Sequence, residues 1–136
     1  MRVFLDANLI FSAAQTGSPS RQLIETLALH ATLITHPAVW HEAGRNLRAK
    51  RPDWLAGLAS LQPLLHFHSG VAVCPDVGLP AKDQPVLAAA IAARANRLVT
   101  GDRAHFGSLF GQTIQGVRIL STRMMAEEMQ ANGWIP

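Results

Sequence analysis

Four carboxylates in this chain stand where acidic groups can do chemistry: Asp6, Glu42, Asp83 and Asp102. Asp6 ends the short apolar run RVFL, and Asp102 follows Gly101 at the end of RLVT. Asp83 stands just ahead of the apolar stretch QPVLAAAIAA. Glu42 shares one face of a helical stretch with Arg45 and Asn46, three and four residues further on. Crowded carboxylates repel one another, and some take up protons unless a cation neutralises them. Oxygen donors without a thiolate or a paired histidine suit Mg2+ or Mn2+ rather than zinc. One or two such ions can activate water and stabilise the attacking and leaving oxygens of a phosphodiester. Taken singly, each acid has an ordinary explanation as well. Asp83 can cap a helix, Asp102 can be a turn residue or a cap, and Glu42 can pair with Arg45 or Arg48 on its own helix. The case is therefore joint, and it depends on the elements that carry the four residues.

The pattern predicts short strands at Arg2–Leu5, Thr32–Thr35, within Phe67–Cys74 (most clearly Val71–Cys74), Arg97–Thr100 and Val117–Leu120. Helical runs lie between them. ANLIFSAAQ follows Asp6; RQLIETLALH follows Ser20 as a cap; PAVWHEAGRNLRAK opens with Pro37 at its first position. Pro52 restarts a helix whose buried side is Trp54, Leu55, Leu58 and Leu61. Asp83 caps the helix that runs to about residue 95, short helix and loop occupy 106–115, and Ser121 caps the last helix, which Asn132 and Gly133 end. Five strands alternating with helices predict one domain, a three-layer α/β/α sandwich around a central parallel five-stranded sheet. Function in such sheets collects beyond the carboxyl ends of the strands, where Asp6 and Asp102 both fall.

Composition agrees with an enzyme of this build. The 136 residues suffice for one well-buried core. Charged residues make up 15% of the chain, well under the roughly 25% of a typical soluble domain. The net charge of +3 with only nine acids is compatible with a polyanionic partner. A local negative pocket on a positive body suits metal-assisted work on phosphates. Cys74 is the only cysteine, so a reducing compartment is expected. No run approaches the ~20 apolar residues of a membrane span, and a cytoplasmic protein is expected.

The segments VFLDANLIFSA, EAGRNL and KDQPVLAAAIAARANRLVTGDRAHF, in this order and spacing, resemble the PIN domain family. These are small metal-dependent ribonucleases that include the VapC-type toxins of bacterial toxin–antitoxin pairs. The resemblance runs from Val3 to Phe106. It implies that Asp6, Glu42, Asp83 and Asp102 are the catalytic acids and hold Mg2+ or Mn2+, that RNA is the substrate, and that an antitoxin protein and a second copy of the chain are partners. It also implies supporting roles for Asn8 and Thr100 beside the acids. The chain departs from the family after Asp102, where Arg103, Ala104 and His105 stand in place of a further acid. One ion or two is thereby left open.

Arg45, Arg48, Lys50 and Arg51 form a basic cluster just after Glu42, readable as a solvated helix end or as a phosphate track. Lys82 and Arg103 flank the proposed site and offer backbone contacts to RNA. His66 and His68 alternate as in a strand but lack a third zinc ligand, and His105 is close enough to Asp102 to be worth testing but reads chiefly as packing onto Phe106. Two other functions compete. One is a catalytically silent PIN-fold module that binds RNA or protein. The other is a phosphoacceptor domain of the response-regulator kind, which wants paired acids after the first strand where this chain has Asp6-Ala7.

Overall fold

The computed structural model describes all residues, Met1–Pro136. Its centre is a six-stranded sheet. β1 (Arg2–Leu5), β2 (Thr32–Thr35), β3 (Leu65–Phe67), β4 (Arg97–Val99), β5 (Thr113–Ile114) and β6 (Val117–Leu120) lie in the spatial order β3-β2-β1-β4-β6-β5. All pairings are parallel except the β5–β6 hairpin. Successive strand residues face opposite sides of a sheet. Val3, Phe4 and Leu5 are nevertheless all fully buried, as are Leu98 and Val99 and, within about 1%, Leu33 and Ile34. Both faces of the central strands are therefore covered, which is why these strands are short unbroken apolar runs.

The helices are α1 (Ala7–Ala13), α2 (Pro19–Ala28), α3 (Pro37–Lys50), α4 (Leu55–Leu61), α5 (Gln84–Ala92), α6 (Arg103–Phe106) and α7 (Thr122–Ala131). Their starts follow local chemistry. Ser18 accepts the Arg21 N–H with Pro19 behind it, so the cap of α2 stands two residues before the expected Ser20. His36 Nδ1 accepts the Ala38 N–H at the head of α3, with Pro37 at the first position. Ser121 accepts the Met124 N–H as expected, and Gly133 takes a positive φ just beyond the Asn132 cap. Val86, Leu87, Ala88, Ala89 and Ala90 are all buried in α5. That burial all round the helix explains its lack of a polar stripe. No helix is long and apolar enough to cross a membrane.

Two strand expectations need correction. The third strand is Leu65–Phe67, reached through a short 3-10 turn at Gln62–Leu64, and not Val71–Cys74. The sequence VAVC has strand chemistry but no ladder: Val71 and Val73 are 89% and 87% exposed. The sheet also has six strands rather than five, because Thr113–Ile114 turns through Gln115 and Gly116, both with positive φ, to pair antiparallel with β6. A two-residue strand in a stretch without alternation carries no periodic signal.

The order β3-β2-β1-β4 matters for function. From β1 the chain steps to one side, to β2 and β3, and then returns to the other side of β1 as β4. The carboxyl ends of β1 and β4 therefore lie side by side where the chain changes direction across the sheet, the place where ligands collect in sheets of this kind.

Candidate active site at the carboxyl edge of the sheet

Asp6 is the first residue beyond β1 and caps α1. Its Oδ1 accepts the Ala7 N–H at 2.7 Å. Its own N–H donates to the Val99 carbonyl, extending the β1–β4 ladder one step and fixing the backbone beside β4. Its Oδ2 accepts the hydroxyl proton of Thr100 at 2.8 Å. Thr100 Oγ1 in turn accepts from the Asp102 N–H at 3.1 Å and from Asn8 Nδ2 at 3.3 Å. One hydroxyl thus uses its donor and both acceptor sites. Asn8 Oδ1 accepts the Gly101 N–H at 2.9 Å, and the loop after β4 is tied to the start of α1. Asn8 and Thr100 thus both belong to the hydrogen-bond network that joins Asp6 to the loop after β4.

Asp83 precedes α5, but its side chain caps nothing; the expected cap is absent. Its carboxylate turns instead toward Asp102 and His105. Asp102 caps α6, with Oδ1 accepting the His105 N–H at 3.1 Å. Asp102 Oδ2 lies 2.9 Å from His105 Nδ1; an ionised carboxylate only accepts, so in that state Nδ1 is the donor. Asp83 Oδ2 lies 3.0 Å from the same nitrogen. That approach is close enough for an ion pair but off hydrogen-bond geometry, so Asp83 Oδ2 is a buried carboxylate oxygen with no donor.

Asp6, Glu42, Asp83 and Asp102 line a single pocket of about 360 Å³ together with Asn46, Lys50 and Lys82. Four carboxylates against two lysines make it a negative hollow on a chain of net charge +3. Burial holds the Asp6 carboxyl above its ordinary range, and the charges of Glu42 and Asp83 push the same way, against the lowering hydrogen bonds from Thr100 and Ala7. Such a carboxylate gains from a nearby cation. Asp83 Oδ2, buried and without a donor, is a second group of the same kind. The donor set is rich in oxygen and free of thiolate, and it fits Mg2+ or Mn2+.

The basic candidates divide. Lys82 lines the acidic pocket and also a neighbouring groove of about 310 Å³, which Glu42 shares and Arg45 borders. Lys50, from the basic cluster, lines the acidic pocket. Arg48 lines neither; it folds back along α3, where a Cβ on Gly44 would meet its Nη1 at 3.4 Å. Arg51 pairs with Asp53 and lies over the Trp54 ring. Arg103, next to Asp102 in the chain, borders a separate hollow beside Ser121, Met124 and Glu127 rather than the acidic pocket. His66 is exposed at the edge strand, and His68 accepts the Gly70 N–H. His105 is the residue that sequence reasoning undervalued. Its spacing of three from Asp102 was the available signal, because the first turn of a helix brings such positions together.

No family model matches the sequence, and no curated protein matches it significantly. Among solved structures, this chain is similar to one in the crystal structure of VapBC2 from Rickettsia felis bound to a DNA fragment from their promoter. The TM-score is 0.65 at 18% identity, over 89% of this chain and 98% of that one. At this identity the likeness shows a common fold, the PIN-like α/β/α arrangement.

Proposed function

We propose that this protein is an Mg2+- or Mn2+-dependent endoribonuclease, the VapC-like toxin of a toxin–antitoxin pair. The observation that carries the reading is the convergence of Asp6, Glu42, Asp83 and Asp102 on one pocket at the switch point of the sheet. These four residues would hold the cation. When bound, a divalent ion supplies the charge that makes water a nucleophile near neutral pH and offsets the negative charge gathering on phosphate.

The chain's own groups supply position. Thr100 and the Ala7 N–H fix both oxygens of Asp6, so one acceptor stays rigid at the end of β1. Asn8 and the Gly101 N–H hold the β4 loop against α1, which sets Asp102 relative to Asp6. Lys82 and Lys50 offer ammonium groups to phosphate oxygens at the rim. The adjoining groove, walled by Val39, Pro85 and Val86 with Arg45 and Lys82 at its edge, accommodates a single strand leading away from the acids. Base faces favour apolar walls and phosphates favour cations.

The structural neighbour is a VapBC2 assembly, which supports an antitoxin as partner; self-association follows from the family resemblance and is read by light scattering. The direct test is cleavage of single-stranded RNA by the purified chain with Mg2+ or Mn2+. Chelation and Asp6→Asn should each abolish cleavage while the protein stays folded. Cleavage that survives both changes overturns the reading. Robust RNA binding without metal-dependent turnover would mark the chain as a silent binding module instead.

A further inference from the structure

We propose that His105 is itself a ligand at the cation site. Asp83, Asp102 and His105 then form a mixed oxygen–nitrogen position that favours a first-row transition ion such as Mn2+ over Mg2+. The inference rests on the metal-dependent reading above and goes beyond it, since four carboxylates alone would not discriminate in this way.

Three observations carry it. One donor atom from each of Asp83, Asp102 and His105 lies within 4.8 Å of the others. The imidazole Nδ1 faces both carboxylates, 2.9 Å from Asp102 Oδ2 and 3.0 Å from Asp83 Oδ2. Adjacent ligands of an octahedral ion with bonds of about 2.1 Å stand about 3.0 Å apart, so these contacts match edges of a coordination sphere. Second, a histidine serving only as an ion-pair donor would satisfy the more buried of its two acids. The hydrogen bond here goes to Asp102, whose side chain is 23% exposed, while the 13% exposed Asp83 keeps a buried oxygen that lies 3.0 Å from the same nitrogen but outside hydrogen-bond geometry. A cation among the three atoms would satisfy that oxygen. Third, no acid follows Asp102 until Glu127, so any further donor beside Asp102 on α6 has to come from another residue type. His105, placed by the Asp102 cap of its own N–H, is that residue.

With an ion bound, Nδ1 would have to be unprotonated and the ring proton would sit on Nε2, leaving the Nδ1 lone pair free for the ion. Magnesium prefers an all-oxygen shell, whereas imidazole nitrogen suits transition ions.

The test uses the full chain with Mn2+ as probe and reads electron spin-echo envelope modulation. The bound ion should show nitrogen-14 coupling of a directly ligated imidazole. The coupling should change to the nitrogen-15 pattern when the protein is grown with labelled histidine, a control that needs no substitution. In His105→Ala the coupling should vanish. Mn2+ affinity should fall about tenfold or more, with Mg2+ affinity little changed. Bound Mn2+ without nitrogen coupling in the unsubstituted protein overturns the inference, as does failure of Mn2+ to bind or equal loss of both ions in His105→Ala. The nuclease reading is judged separately by RNA cleavage in Mg2+. Cleavage without nitrogen coupling removes only the His105 inference, and coupling without cleavage removes only the nuclease.

Discussion

Thr100 Oγ1 donates its only proton to Asp6 Oδ2 across 2.8 Å, joining the ends of two neighbouring parallel strands through a hydroxyl that is wholly buried. The bond does for the β1–β4 edge what a further ladder step would do for the backbone. It sets the orientation of the most buried carboxylate in the site by a group that has no other way to turn.

Thr100→Val keeps the shape of this residue and removes the hydroxyl. Asp6 Oδ2 then loses its donor and the Asp102 N–H its acceptor. Unsatisfied buried groups cost about 1–3 kcal/mol, so the denaturant midpoint should fall. Metal-dependent RNA cleavage should fall by about 10–100-fold, the range seen when groups orienting metal ligands are removed. Thr100→Ser keeps the hydroxyl and should recover most of both. Equal behaviour of Val and Ser at this position would remove the positioning role.

Asp6 also predicts how stability depends on pH in the absence of metal. Burial is the chief reason that its folded pKa lies above the ordinary value of an aspartate. Between the unfolded and folded values the native state retains a proton that the unfolded chain has released. Stability from this group therefore falls as pH rises through that window, and the penalty persists above it. In chelator, urea midpoints of the unsubstituted protein should decline relative to Asp6→Asn from about pH 4 upward. Saturating Mg2+ or Mn2+ should oppose the decline. A difference between the two proteins that does not vary with pH would contradict the cause assigned to the shift.

Much of this was legible in the sequence because it is local. Strands β1, β2, β4 and β6 are compact apolar runs, and the acids at their ends or at helix starts declare the carboxyl edge. VAVC misled because β-branched composition measures fit to a half-buried pleated surface, and in the fold no strand lies beside it. The free Asp83 side chain was not legible either. A residue ahead of Gln84-Pro85 looks like a cap, and only the approach of α6 shows that its carboxylate is turned elsewhere. Arg103 illustrates the same limit: adjacency to Asp102 in sequence says nothing of direction, and Arg103 lines a separate hollow.

Gly57 gives a prediction independent of any activity. A Cβ there would lie 1.8 Å from the Ala14 carbonyl oxygen at the end of α1. Glycine to alanine in a helix would ordinarily stabilise by about 1 kcal/mol. Here backbone has to move, and overpacking of that kind costs about 1–3 kcal/mol. The clash should win, lowering the thermal midpoint of Gly57→Ala. A midpoint at or above that of the unsubstituted protein would show that α1 and α4 separate without cost.

The last prediction concerns which cations read phosphate. Lys82 borders both the acidic pocket and the adjoining groove, whereas Arg103 borders neither. Each phosphate contact to a single strand adds about 0.7 to the slope of log affinity against log salt. In an Asp6→Asn background, where the proposed nuclease should bind RNA without cutting it, Lys82→Ala should weaken binding at low salt and lower that slope by about this amount. Arg103→Ala should leave affinity and slope as they were, although it stands next to Asp102 in the chain. The reverse pattern, with Arg103 carrying the salt dependence, would route the strand over α6 rather than along the α3–α5 groove. It would also put the basic edge at Arg45 and Lys82 outside the substrate path.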